Sequence, residues 1–142
     1  MLVKDIMTKN VVTIDSEKTV YDACLKYKEK GVGCLVVMKN NVVSGIITER
    51  DMIERVILGE KKPKETKVEE IMTKNIKMIH ASAKIEQAAE MMTENHIKRL
   101  PVLLNNEISG IITITDIANI MPDLSRKLIE ENESFKFVKQ TY

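Results

Sequence analysis

Apolar and polar positions along this chain switch between a strand period and a helix period, and they do so twice in the same order. Val11 to Ile14 is a short β-branched run that predicts a strand, closed by Asp15-Ser16, which can cap a following helix. From Thr19 to Lys30 the apolar residues Val20, Ala23, Cys24 and Tyr27 recur at helical spacing, and Gly31 stands where a left-handed cap would end the helix. Cys34 to Met38 is a continuous apolar run suited to a strand buried on both faces. Lys39-Asn40-Asn41 then reads as a turn and Val42 to Thr48 as the returning strand of a hairpin. Met52, Ile53, Val56 and Ile57 mark a second helix. The order strand, helix, strand, strand, helix returns downstream, with Ile85, Ala88, Ala89 and Met92 on the first helix and Ile117, Ala118, Ile120 and Met121 on the second.

This recurrence is a duplication. A shift of 65 residues lays Val3 to Met52 on Val68 to Ile117 without a gap and with 19 identities, among them Ile6-Met7-Thr8-Lys9-Asn10 against Ile71-Met72-Thr73-Lys74-Asn75. Ser44-Gly45-Ile46-Ile47-Thr48 likewise matches Ser109-Gly110-Ile111-Ile112-Thr113. A unit of about fifty residues buries too little surface to be comfortable alone, so the copies are expected to pack as a pseudo-two-fold symmetric pair with two equivalent clefts at the seam. The fold class expected is α+β, a mixed α/β arrangement of two β-α-β-β-α repeats. The expected domains are residues 1–57 and 68–122, joined by a charged linker, 58–67, in which Pro63 stops any helix. Residues 123–142 are expected as a short helix from Asp123 to about Asn132 and a tail that holds both phenylalanines, Phe135 and Phe137, docked on the protein's own surface or on a partner.

Composition narrows the partners. With 44% apolar residues and no Trp the core is aliphatic, and 22 basic against 21 acidic residues removes the overall electrostatic drive of a nucleic-acid binder. No apolar run reaches a membrane span and Lys4-Asp5 interrupts any leader-like start, so a cytoplasmic protein without membrane contact is expected. Cys24 and Cys34 form no CxxC pair and read as small buried hydrophobes. His80 and His96 lack metal-ligand spacing and no catalytic or phosphate-loop signature occurs, so no enzyme is expected and no metal site.

Each copy resembles a CBS domain, and the tandem resembles the paired arrangement known as a Bateman module. The resemblance rests on the IMTKN openings, Thr13-Ile14-Asp15, the stretch His96-Ile97-Lys98-Arg99-Leu100-Pro101-Val102, and the endings Gly45 to Asp51 and Gly110 to Asp116. It implies regulatory binding of AMP, ADP or ATP, or of S-adenosylmethionine or an NAD derivative, with no obligatory cofactor. It places ribose hydroxyls on Asp51 and Asp116 and phosphate near Thr48 and Thr113. The remaining candidate site positions are Thr13 and Ile14 in the first copy, Met78, Ile79, Ile97, Lys98, Arg99 and Pro101 in the second, and, from the residues themselves, Arg50 near Asp51.

The chemistry of these residues agrees. A carboxylate can accept from both ribose hydroxyls through charge-assisted bonds worth about 1.5–3 kcal/mol each. A threonine at the entry to a helix adds a hydroxyl where free N–H groups attract an anion. The alternative is a purely structural capping box in each copy, and both readings can hold together. The copies are not equal: Lys98-Arg99 stands where the first copy has Gly33-Cys34, which favours the Asp116 site for phosphate, whereas Met78 replaces Thr13 and weakens adenine-edge bonding. Arg50 is a partial substitute for the missing cations or else a solvent-exposed arginine, and His96 is a ligand contact or a surface residue.

The leading expectation is therefore a sensor that binds an adenine nucleotide and signals to an effector protein on another chain. The apolar helices around Met52–Ile57 and Ile117–Met121 point to a homodimer. The alternative is a dimerisation or assembly module that binds no nucleotide. A nucleic-acid binder using the lysine-rich linker and Lys98-Arg99 is the weakest of the non-enzymatic readings.

Overall fold

The computed structural model describes residues 1–131 and Tyr142. Phe135, Phe137 and the rest of the expected tail lie outside the described residues. The chain divides into two compact units, Val12–Ile76 and Met1–Val11 with Lys77–Tyr142. They are called here the first-repeat and second-repeat units. The fold is α+β, with one three-stranded sheet in each unit.

In the first-repeat unit β1 (Thr13–Asp15) runs parallel to β2 (Cys34–Lys39), which pairs antiparallel with β3 (Val42–Thr48). The first strand is shorter than the apolar run and begins at Thr13, because the ladder holds only Thr13, Ile14 and Asp15 against Val36, Val37 and Met38. Helix α2 (Val20–Lys30) follows. Its cap is Thr19 and not Asp15-Ser16: the Thr19 N–H donates to Asp22 Oδ2 at 3.1 Å and the Asp22 N–H returns to Thr19 Oγ1 at 3.1 Å. Asp15 serves the preceding turn, accepting from the Glu17 N–H at 2.9 Å. Gly31 ends α2 with φ 64°, as the pattern predicts.

After β3 a short α3 (Glu49–Asp51) widens into a π-helix over Met52–Ile57, with Leu58 N–H donating to Ile53 O and Lys61 N–H to Val56 O, each at 3.0 Å. Pro63 opens a single 3-10 turn, Pro63–Glu65, instead of only ending a helix. Helix α4 (Val68–Ile71) completes this unit.

The second-repeat unit contains α1 (Val3–Ile6), β4 (Ile79–His80), α5 (Ile85–Asn95), β5 (Arg99–Leu104), β6 (Glu107–Thr113), α6 (Ile114–Ile120) and α7 (Pro122–Glu131). Its sheet repeats the pattern, β4 parallel to β5 and β5 antiparallel to β6. Both hairpins turn on Asn-Asn with both residues left-handed (φ 51° and 62°, then 53° and 62°), the backbone of a type I′ turn that matches the twist of the strands. Helix α5 ends at His96 with φ 53°, where the first repeat has glycine.

Each unit takes its opening segment from the other repeat. Thr73 bonds both ways with Ile46 in the first-repeat unit (3.0 and 2.9 Å), and Thr8 bonds both ways with Ile111 in the second (2.8 and 2.9 Å). The IMT segment thus adds one more rung beside the last strand. A glycine is required there: a Cβ on Gly45 would stand 2.7 Å from both Met72 Sδ and Thr73 O, and one on Gly110 would stand 2.5 Å from Met7 Sδ and 2.9 Å from Thr8 O. The two most similar motifs of the duplication, IMT and SGIIT, are therefore the two sides of one close packing contact.

The first-repeat core joins Leu35, Val37 and Ile47 of the sheet to Val20 and Ala23 of α2, Met52 and Val56, and Val68, Ile71 and Met72. In the second-repeat unit Val3, Ile85, Ala88, Met92, Leu100, Val102, Ile112 and Ile117 are buried. Each large aliphatic side chain so placed contributes about 1.5–3 kcal/mol. The cysteines depart from expectation, since Cys24 is exposed and Cys34 half-buried.

Candidate functional site

Both threonine-aspartate pairs sit where a sheet ends and a helix begins. Thr48 N–H donates to Asp51 Oδ2 and Thr113 N–H to Asp116 Oδ2, both at 2.9 Å. The aspartate N–H groups return to the threonine hydroxyls at 3.4 and 3.1 Å. These are capping boxes, and in each the bonds take up one carboxylate oxygen.

The second oxygen separates the copies. Asp51 is 3% exposed, and its Oδ1 accepts from the Thr73 hydroxyl at 3.3 Å and lies 3.7 Å from Arg55 Nε. Arg55 is itself held by the Ile71 and Met72 carbonyls at 3.0 and 2.9 Å. Asp116 is half-buried, and its Oδ1 has no partner among the described residues. Arg55 aligns with Ile120 in the second repeat, which cannot make that contact.

Strand register assembles the rest of the second-repeat site. Arg99 of β5 lies directly across from Thr113 of β6, where the first repeat sets Cys34 against Thr48. The Arg99 Nε is buried and has no hydrogen-bond partner among the described residues. Burying a guanidinium N–H without an acceptor is costly, so an anion would be favoured here. Lys98 is exposed beside it, while Ile97, Pro101 and Ile79 are buried and Met78 half-buried. The sheet and α6 thus bring Lys98, Arg99, Thr113 and Asp116 into one neighbourhood.

The first-repeat positions have other occupations. Thr13 is half-buried and Ile14 buried. The Thr13 carbonyl accepts from Lys26 Nζ at 2.5 Å. Arg50 is exposed and pairs with Glu54 at 3.7 Å, and Arg55 lies 3.7 Å from Asp51. Tyr27 donates its hydroxyl to the Ile47 carbonyl at 2.8 Å, and burial, reinforced by nearby Cys34 and Asp51, pushes its ionisation well above the ordinary phenol range. The sequence assigns Lys26, Arg55 and Thr73 no site role, and marks Tyr27 only as an apolar position of the helix. Arg55 was legible as an i,i+4 partner of Asp51; Thr73 was visible only as part of a repeated motif with no stated role. His96 acts as the left-handed cap of α5.

A model of the CBS domain matches residues 3–58 and again 68–123. The CBS domain-containing protein YhcV of Bacillus subtilis is 30% identical over 116 residues, covering 82% of each chain. A conserved CBS domain protein of unknown function from Thermoplasma acidophilum superposes with a TM-score of 0.84 at 29% identity, covering 99% of this chain and 79% of that one. A hexameric CBS-CP12 protein from bloom-forming cyanobacteria superposes with a TM-score of 0.76 at 33% identity, covering 94% and 79%. With two full matches to the family model and an alignable fold throughout, the chain belongs to the CBS domain family and carries two CBS domains in tandem.

Proposed function

We propose that this protein is a regulatory module that binds an adenine nucleotide, AMP, ADP or ATP, at the second-repeat site and signals to another polypeptide. One observation carries the reading: the buried Nε of Arg99, which has no hydrogen-bond partner among the described residues, belongs to a residue in register with Thr113 and beside exposed Lys98. Thr113 caps the helix turn that holds Asp116, whose Oδ1 likewise has no partner among the described residues. Cations for phosphate and a carboxylate oxygen for ribose hydroxyls are the two chemistries a nucleotide needs. S-adenosylmethionine, which lacks phosphate, would leave Arg99 unanswered, and is the weaker candidate. The first-repeat site has no such cation opposite Thr48, and Asp51 is occupied by its own protein partners. Catalysis forms no part of the proposal.

Thermal unfolding of metabolite-free protein with AMP, ADP, ATP, S-adenosylmethionine and NADH tests this. Ligand at a hundred times its dissociation constant adds about 2.7 kcal/mol, a midpoint rise of several degrees. The rise should appear with an adenine nucleotide and vanish in Asp116→Ala and Arg99→Ala. No rise with any of the five compounds would reject the reading.

A second reading rests on a separate observation. Ile53, Ile57, Leu58 and Ile120 are exposed by 54%, 68%, 72% and 48%. Apolar side chains so far exposed on the helices after β3 and β6 favour self-association as a homodimer. This assembly role needs no nucleotide, and it would stand if no ligand bound. Sedimentation of wild type against Ile57→Asp tests it; an unchanged mass would count against it. Among the described residues no helix is long and apolar enough to cross a membrane.

A further inference from the structure

A single substitution between the repeats opens the sheet edge beside the proposed site. In the first-repeat unit the Val36 N–H donates to the Val12 carbonyl at 3.1 Å, next to the three-pair ladder of β1 and β2. The second repeat places Pro101 where the first has Val36 and Lys77 where it has Val12. Proline has no N–H to donate, so that bond cannot form. The β4 ladder contracts to Ile79 with Val102 and His80 with Leu103. The Lys77 carbonyl is left without that donor and open to another partner.

That partner is Tyr142. Its hydroxyl accepts from the Lys77 N–H and lies 3.5 Å from the Lys77 carbonyl, to which it can donate. Its main-chain oxygen accepts from the Lys98 N–H at 2.8 Å. The residue is only 7% exposed. A flat aromatic group therefore occupies a main-chain edge that offers one donor and one acceptor, anchored at Lys98 and adjoining Arg99. An adenine base carries the same pair on its edge, an amino donor next to a ring-nitrogen acceptor.

We propose that Tyr142 is a built-in competitor for the second-repeat site, seated on the edge at Lys77 and Lys98 that a purine base would use. The inference rests on the nucleotide reading above. An incoming nucleotide must displace Tyr142, so its apparent affinity is reduced by the fraction of molecules in which the seat is filled. Binding then frees Tyr142 from the Lys77 and Lys98 main chain, and so couples ligand to a change that a partner can sense.

Amide exchange and nucleotide titration on the full chain, wild type beside Tyr142→Ala and Tyr142→Phe, test the proposal. In Tyr142→Ala the Lys77 and Lys98 amides should both exchange at least tenfold faster. In Tyr142→Phe, which keeps the ring and the main-chain contact, only Lys77 should. Calorimetric titration should show ATP or AMP binding about tenfold tighter in Tyr142→Ala, and saturating nucleotide should accelerate exchange of the Tyr142 amide in wild type. Unchanged exchange at Lys77 and Lys98 in Tyr142→Ala would overturn the seat itself. Measurable nucleotide binding with the same affinity in wild type and Tyr142→Ala would overturn competition while sparing the nucleotide reading. Binding by neither chain would overturn both.

Discussion

The two repeats end in the same capping box, yet they use its aspartate differently. Asp51 is enclosed, with Thr48, Thr73 and Arg55 around it, and its carboxylate is spent on tying α4 and the following Met72-Thr73 segment to the helix after β3. Asp116 keeps one oxygen without a partner among the described residues, and its capping partner Thr113 lies across from Arg99, where the first repeat has Cys34. Duplication thus supplied one scaffold twice, and a few side chains turned the first copy's aspartate toward internal cohesion while leaving the second copy's aspartate as the one on which the proposed ligand site rests. The lesson is that a motif shared by both copies locates a candidate position, while the partners around it decide its use.

The contact common to both repeats is the strongest place to strike. Gly45→Val and Gly110→Val would drive side-chain atoms into the Met72-Thr73 and Met7-Thr8 segments, and each should lower stability by about 3 kcal/mol or more in chemical denaturation. Equal losses would confirm that this packing is shared; a loss at only one site would break the equivalence. Next in size, Asp51→Ala should cost about 2–3 kcal/mol because it strands the buried Thr73 hydroxyl and the Arg55 guanidinium. Asp116→Ala should cost about 1 kcal/mol, the loss of a cap alone. Similar costs would erase the distinction drawn between the two aspartates.

Arg99→Ala sharpens the functional side. It should weaken nucleotide binding about tenfold or more, roughly 1.4 kcal/mol, with little loss of stability in the free protein, since its buried Nε has no acceptor among the described residues. A large drop in stability without ligand would show instead that Arg99 is structural.

The smallest expected effect is alkaline. Tyr27 aligns with Met92 in the second repeat, so only the first-repeat copy of this position can titrate. Its folded ionisation lies above the ordinary value of 10.0. The unfolded chain then releases its proton first, and the stability is fully present below about pH 10 and lost as pH rises from there toward the folded value. The slope from one such group reaches at most about 1.4 kcal/mol per pH unit. Tyr27→Phe should flatten the fall in stability above pH 10 in part, since Tyr142 is shifted in the same direction by burial. An unaltered slope would remove Tyr27 from the account.

Much of this molecule was legible in the order of its residues. Periodicity yielded α2, α5, β3 and the two Asn-Asn hairpins, and the capping spacing of Thr48 with Asp51 and Thr113 with Asp116 was visible directly. These features depend on interactions within a few residues, where backbone preference and side-chain spacing act together. The pattern predicts the helix after β3 but not its π winding, and it points to Asp15-Ser16 as the cap of α2 because both Asp15-Ser16 and Thr19 precede that helix.

What the tertiary structure alone decided lies between residues far apart in the chain. The opening segment of each repeat joins the unit built on the other, Thr73 reaches Asp51 across 22 residues, and Tyr142 reaches Lys77 across 65. Periodicity carries no information about such pairs, because any apolar face or unpaired N–H can in principle accept several partners. The choice among them is made by strand register, by the space a glycine leaves and by the donor a proline removes, and these become definite only when the whole chain is packed.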